Sequence, residues 1–414
     1  LPSKHAKEGI DMTLDRAINI SDLRHLAMKR LPRMAFDFIE GGCDDEDGLA
    51  ENESAFAAYR LMPRYLVDVS QVDMTAQLAG QAFSMPLGLA PTGAAGMFRH
   101  DADRLLARAS AAANVPFVLS INSHASIEQA VEAAPEHTWF QLYGVKSLEM
   151  TEDMVRRAAD LGVKTLVLSV DVPVQSNRER NRRNRFSQPL RVTPSMILQA
   201  IAHPSWTLEY LRNGGLPYMG NFRPYAPSGA SAEAVGDLVF SVFPAPDLTW
   251  TFLEKIRRLW PRKLFIKGIM HPDDAFRSAE MGVDGIMVSN HGGRQLDRAP
   301  SPLQVLPAIR EAVGDRIEIT LDGGIRRGSD VVIALCLGAR MVFVGRPALY
   351  GVAAGGDKGV RKTLEIFSQE LAIVLGQIGC PRIADLGPHF LWPSLAASRS
   401  GSNASRGGDR LVRS

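Results

Sequence analysis

Ser289-Asn290-His291-Gly292-Gly293-Arg294-Gln295-Leu296-Asp297 sets a histidine and an arginine three residues apart, on a backbone that two glycines free to turn tightly and to approach a ligand. Imidazole takes up a proton near neutral pH. Guanidinium grips a carboxylate through two parallel hydrogen bonds. A base beside a carboxylate clamp suits proton removal from a small carboxylic acid. The run Asp284 to Val288 is apolar after its first residue and stops where the polar cluster begins, as a buried parallel strand does at its carboxyl end. The competing reading is a solvated loop that merely happens to hold His291 and Arg294.

The elements around this stretch repeat. A lead-in comes first. Ile20-Ser21-Asp22-Leu23 opens a helix with Ser21 or Asp22 as its cap, Met34 to Glu40 forms a second, Gly41-Gly42 stops it, Asp44 to Asp47 reads as a solvated loop, and Asn52 to Tyr59 suits another helix. From Met85 short apolar strands alternate with helices. The strands fall at 85–90, 117–120, 138–143, 165–170, 263–267, 285–288, 317–321 and 341–344. Eight such units predict a closed parallel (β/α)8 TIM barrel with an N-terminal helical lead-in, against a doubly wound open sheet as the alternative.

Active sites of such barrels lie at the carboxyl ends of the strands, and polar residues of one chemical theme gather there. They are Pro91-Thr92-Gly93, Ser120, Gln141 with Tyr143, Ser169 with Asp171, Lys267, and Ser289 with His291 and Arg294. Strands seven and eight end in Asp322-Gly323-Gly324-Ile325-Arg326 and Gly345-Arg346-Pro347, glycine turns of the kind that bind phosphate with amide groups and a helix start. Ordinary tight βα turns are the alternative. Lys267 reads as a cation for an anion that forms during reaction, or as a snorkelling surface lysine. Asp171 can orient His291 and stabilise its imidazolium, or can cap a turn.

Composition bounds the rest. With 47 Lys+Arg against 45 Asp+Glu the formal net charge is +2, which argues against a nucleic-acid partner. Three scattered cysteines, Cys43, Cys336 and Cys380, suit neither a disulfide framework nor a zinc site, and no metal is expected. Leu1 to Asp11 lacks the apolar core of a signal peptide, and no stretch reaches the about 18 apolar residues of a membrane span. Residues 1–395 read as one domain, with a disordered Ser-, Gly- and Arg-rich tail at 396–414.

These motifs resemble the FMN-dependent (S)-2-hydroxy-acid oxidases and dehydrogenases, from about Ile20 to about Leu391. Besides the stretch at 289–297, Leu31-Pro32-Arg33-Met34, Ala90-Pro91-Thr92, Phe140-Gln141-Leu142-Tyr143, Asn184-Arg185-Phe186, Ile266-Lys267-Gly268 and Asp322-Gly323-Gly324 stand in the family's order. Gly93, 119–123, 203–206 and 377–381 are most similar to its bacterial mandelate dehydrogenase branch. The resemblance implies FMN as cofactor, His291 as base with Asp171 as partner, and Arg178 and Arg294 as carboxylate ligands, with Tyr143 as a donor to the substrate. It implies that Lys267 lies near flavin N1, that Pro91, Thr92 and Gly93 face the central ring, and that Ser120, Gln141, Ser169 and Ser289 hold the ring and ribityl groups. Asp322, Gly323, Gly324, Ile325, Arg326, Gly345 and Arg346 would hold the ribityl chain and phosphate. Phe38 is a departure, because most members carry a tyrosine whose hydroxyl bonds the substrate carboxylate. Such a bond to a charged group contributes roughly 1.5–3 kcal/mol. Phe38 favours an aromatic acid such as mandelate, with L-lactate the other candidate.

By the same resemblance the substrate is a small 2-hydroxy acid, and the electrons pass to a quinone-type acceptor, or in an oxidase to dioxygen with release of peroxide. The base takes its proton from the C2 hydroxyl or from C2 itself, and both routes stay open at this stage. The insertion at about 188–249 reads as a peripheral membrane contact, with an amphipathic helix over Ser195 to Ala202, or as a lid; Phe222 to Gly236 reads as mobile. The protein is expected in the cytoplasm or against the inner face of the cell membrane, as a homo-oligomer, a tetramer by the resemblance.

Overall fold

The computed structural model describes residues 12–185, 192–215 and 217–392. Phe186 of the Asn184-Arg185-Phe186 motif, the start of the insertion and the tail at 396–414 lie outside the described residues.

Eight parallel strands close into a barrel: β1 (Leu87–Leu89), β2 (Phe117–Ser120), β3 (Thr138–Tyr143), β4 (Thr165–Ser169), β5 (Lys263–Ile269), β6 (Gly285–Val288), β7 (Glu318–Asp322) and β8 (Met341–Val344). Each pairs with the next, and β8 pairs with β1. The closed sheet is the predicted TIM barrel, not the open alternative. Strand residues alternate between two cores. Val118, Trp139, Val167, Phe265, Met287 and Phe343 fill the barrel, with Trp139 ring centroids 5.4 Å from Phe265 and 5.8 Å from Phe343. Leu119, Phe140, Leu166, Ile266, Ile286 and Val342 face the helices. This two-sided burial is why the strands read as continuous apolar runs. A hairpin of 76–78 and 81–83 joins the inner cluster.

Three lead-in helices precede the barrel: α1 (Ile20–Arg30), α2 (Arg33–Glu40) and α3 (Asp47–Ser54). Asn19, not Ser21 or Asp22, caps α1, its side chain accepting from the Asp22 amide. The run Asp44 to Asp47 is solvated as expected at Asp44, Asp45 and Asp47, which are exposed. Glu46 has φ 66° and pairs with Arg180, while Asp47 already begins α3. Helix therefore starts earlier than Asn52 and tightens to a 3-10 turn at Ala55–Ala58.

Between β1 and β4 run α4 (Ala102–Ala112), α5 (Ile127–Ala133) and α6 (Leu148–Asp160), and between β4 and β5 lie α7 (Glu179–Arg183), α8 (Pro194–Ala202), α9 (Pro204–Arg212), α10 (Ala232–Val242) and α11 (Trp250–Leu259). Phe222 to Gly236, expected to be mobile, is buried at its two ends and mostly exposed between them. Asn221 and Phe222 are fully buried, and Val235 and Gly236 are buried on α10. After β5, β6 and β7 come α12 (Pro272–Glu280), α13 (Pro302–Val313) and α14 (Gly328–Cys336), and the last long helix, α15 (Arg346–Ile378), starts directly after β8 and bends at Gly356.

Candidate active site

The carboxyl ends of the strands surround a cavity of ≈ 460 Å³. His291 lies on its wall with φ 60°, a left-handed backbone that a side chain adopts only under constraint. Its amide donates to Ser289 Oγ at 3.0 Å, and its Nδ1 lies 3.0 Å from Asp171 Oδ2. Asp171 therefore fixes the ring, with Nδ1–H toward the carboxylate and Nε2 as the free base. Nε2 lies 3.4 Å from the Tyr143 hydroxyl. Burial, then the cations Lys267 and Arg178, depress the His291 pKa more than Asp171 raises it. Burial would raise Asp171, but His291 and Lys267 keep it below the usual carboxylate value. Burial raises Tyr143, which stays a phenol and a donor.

Two guanidiniums flank the imidazole. Arg294 Nη1 donates to the carbonyls of Phe38 at 2.9 Å and Gly41 at 2.7 Å, and its charge lies 5.1 Å from the Phe38 ring centroid. Arg178 Nη2 donates to Gln295 Oε1 at 2.8 Å. Gln295 in turn donates to the Asp171 carbonyl at 3.2 Å, so one amide ties the clamp to the base's partner. Burial, with Arg178 and Arg346 alongside, pushes the Arg294 pKa well down. Guanidinium keeps its proton in proteins, so an anion bound in the cavity would relieve this repulsion.

Lys267 is buried, which overturns the snorkelling alternative. β5 runs on past it through a bulge to Ile269, so Lys267 points inward from within the strand. Its ammonium lies 2.7 Å from Ser289 Oγ and 3.1 Å from Asp322 Oδ2, and Ser289 Oγ donates to Asp322 Oδ1 at 2.6 Å. Burial would lower the Lys267 pKa, but Asp322 and Asp171 outweigh it and the pKa is raised.

Pro91, Thr92, Gly93 and Ser120 line the cavity, as do Asp322, Gly323, Gly324, Ile325, Arg326, Gly345 and Arg346. Gly324, with φ 82°, admits no side chain, since a Cβ would lie 1.8 Å from the Asn52 carbonyl. Arg346 donates to the carbonyls of Ile39, Gly292 and Gly41, each at 2.9 Å, and Arg326 Nη2 to Glu53 at 2.8 Å. Both reach the cavity while tied to the lead-in helices. Gln141, Ser169, Ser289 and Asp171 stand behind the wall: Gln141 Oε1 accepts from Ser120 Oγ at 3.1 Å.

Among the described residues, the buried polar atoms at these strand ends without a hydrogen-bond partner include Gln141 Nε2, Ser169 Oγ, Asn122 Oδ1 and Asp171 Oδ1. Buried polar atoms are ordinarily satisfied, so a cluster of orphans fits a polar ligand that completes their bonds. Unpaired amide and hydroxyl groups, a glycine-rich floor and an inward ammonium suit a flat heterocycle with a phosphorylated tail. Among the described residues no group of His, Cys, Asp and Glu could hold a metal ion.

Several site residues were not singled out from the sequence. Gln295 lay inside the central motif, but its bonds to residues more than a hundred positions away carry no local signature. Asn221 does the same for the β2 end, donating to the carbonyls of Ser120 and Ile121 and accepting from the Ile127 amide at 2.8 Å. Val239, Phe240 and Phe243 bring the insertion onto the cavity wall, and Phe243 lies 4.6 Å from Tyr143 between ring centroids.

Fold and site together define a (β/α)8-barrel flavoenzyme. The chain belongs to the FMN-dependent dehydrogenase family, whose model matches residues 27–393. It is 41% identical over 373 residues to the (S)-mandelate dehydrogenase of Pseudomonas putida, covering 90% of this chain and 93% of that one. It is 39% identical over 381 residues to the L-lactate oxidase of a Nostoc species, covering 90% and 98%. The crystal structure of the monotopic membrane protein (S)-mandelate dehydrogenase superposes with TM-score 0.87 at 41% identity, covering 91% of this chain and 99% of that one. The protein is an FMN-dependent oxidoreductase of 2-hydroxy acids.

Proposed function

We propose that this protein oxidises an aromatic (S)-2-hydroxy acid, of the mandelate type, to its 2-keto acid and passes the electrons to a quinone-type acceptor. The observation that carries the reading is the grouping of His291 Nε2, the Tyr143 hydroxyl and the guanidiniums of Arg178 and Arg294 around one cavity. An aromatic rim of Phe38, Phe240 and Phe243 suits a substrate ring.

The substrate carboxylate takes the two guanidiniums, relieving their mutual repulsion. Tyr143 donates to the bound acid. His291 Nε2 accepts the substrate proton, and Asp171 stabilises the imidazolium without taking the proton itself. Bound FMN supplies the two-electron acceptor for the C2 carbon. Lys267 offsets the negative charge that gathers as the electrons leave the substrate. Gln141, Ser120, Ser169 and the glycine turns after β7 and β8 would hold the cofactor, and Arg326 and Arg346 would supply charge for its phosphate.

Steady-state turnover of the FMN-loaded enzyme tests substrate and acceptor together. (S)-Mandelate is expected to exceed L-lactate and glycolate in kcat/KM, with a soluble quinone reduced faster than peroxide accumulates in air. Preference for glycolate, or peroxide release matching total turnover, would overturn the reading.

We also propose a peripheral membrane contact through α8 and α9. Ile197, Leu198 and Ile201 on α8 are 52%, 69% and 69% exposed, and Leu211 on α9 is 69% exposed. Such a face suits a membrane interface, and among the described residues no helix is long and apolar enough to cross one. The relative described as monotopic supports the same placement. Ile197→Glu with Leu198→Glu and Ile201→Glu is expected to abolish sedimentation with anionic vesicles; undiminished sedimentation contradicts it. The family resemblance further supports a homotetramer, for which sedimentation velocity should give one species of about four chains.

A further inference from the structure

We infer that Glu40 is a positioning residue for Arg294: held by Arg24 and Tyr350, it fixes the carboxyl end of α2, whose carbonyls aim the guanidinium at the substrate carboxylate. The inference rests on the proposed role of Arg294.

The last carbonyls of a helix have no partner within it, and the helix end carries partial negative charge. In α2 those carbonyls face the cavity wall and are satisfied by active-site arginines. Arg294 takes the carbonyls of Phe38 and Gly41, and Arg346 those of Ile39 and Gly41. Arg294 is half-buried beside two other cations, which repel it. The α2 carbonyls are what hold its Nη1, and a shift of this helix end turns the fork.

α2 is only eight residues long, and a short helix has little stiffness of its own. Its final side chain, Glu40, is clamped from two other helices. Arg24 on α1 meets it through Nε at 3.0 Å and Nη2 at 2.6 Å, and the Tyr350 hydroxyl on α15 donates to its Oε1. Glu40 is not on the cavity wall. Its influence on catalysis therefore passes through the backbone it anchors. Tyr350 is itself buried and lies one turn after Arg346 on α15, so both ends of the clamp belong to the framework that holds the site.

The test compares (S)-mandelate with its methyl ester, which lacks the charge that Arg294 grips, in FMN-loaded Glu40→Ala and Glu40→Gln enzymes. Glu40→Ala is expected to raise KM for the acid by about tenfold, leaving kcat and the ester's KM within about twofold. Glu40→Gln, whose amide oxygen still accepts from Arg24 and Tyr350, restores most of the loss. Should Glu40→Ala fail to fold, Tyr350→Phe keeps the ring, removes one donor and shows the same split at smaller amplitude. Equal shifts for acid and ester, or an unchanged KM for the acid, overturn the inference while a wild type active on the acid keeps the proposed function. A wild type idle toward both substrates sinks the two together.

Discussion

Replacing His291 with alanine leaves a yellow, FMN-loaded protein whose oxidation of the 2-hydroxy acid is slower by about 10²–10⁴-fold, the usual contribution of a positioned general base. Cofactor retention is expected because none of the groups proposed to hold FMN (Gln141, Ser120, Lys267 and the turns after β7 and β8) hydrogen-bonds the imidazole. The pH profile provides the companion result. The base works unprotonated, and its pKa is held below the ordinary 6.5 by burial, Lys267 and Arg178. The wild-type kcat/KM is therefore flat through neutral pH and falls only as pH drops through a value below 6.5. An acid limb above the ordinary imidazole value, or a fully active His291→Ala enzyme, would remove the histidine from its role.

Lys267→Met is expected to cost roughly 3–5 kcal/mol of stability, the range for breaking a buried ion pair from one side. The side chains of Lys267 and Asp322 are only 5% and 9% exposed, so removing the ammonium strands a carboxylate away from water. Asp322 also accepts from Ser289, whose oxygen holds the His291 amide. The disturbance therefore reaches the base. Lys267→Met combined with Asp322→Asn should regain most of the stability in urea unfolding yet remain catalytically poor. A single variant that loses less than about 1 kcal/mol would show that the pair is not the buried one described here. A double variant with wild-type turnover would deny Lys267 its electrostatic part.

The barrel was legible because its strands are buried on both faces and so appear as uninterrupted apolar runs. The bounds expected for β2, β3, β6 and β8 coincide with those observed. β5 was cut short at Lys267 because a buried lysine and a glycine resemble a strand's end; the bulge beyond Lys267 has no signature in residue type. The central motif announced itself because His291, Arg294 and the glycines are local in sequence. What escaped was built from distance. Arg294 is oriented by main-chain carbonyls of α2, and carbonyl groups look alike in every residue. Gln295 and Asn221 act through partners far along the chain. The aromatic wall from α10 depends on how the insertion folds back over the barrel mouth, which periodicity alone does not specify.

The most direct measurement is anaerobic: mix the FMN-loaded protein with (S)-mandelate and follow the flavin absorbance. Rapid, stoichiometric bleaching is expected with the S enantiomer, none with the R enantiomer, and none within the same time in the His291→Ala protein. A flavin that stays oxidised with every (S)-2-hydroxy acid offered, or a protein that takes up no FMN, would contradict it.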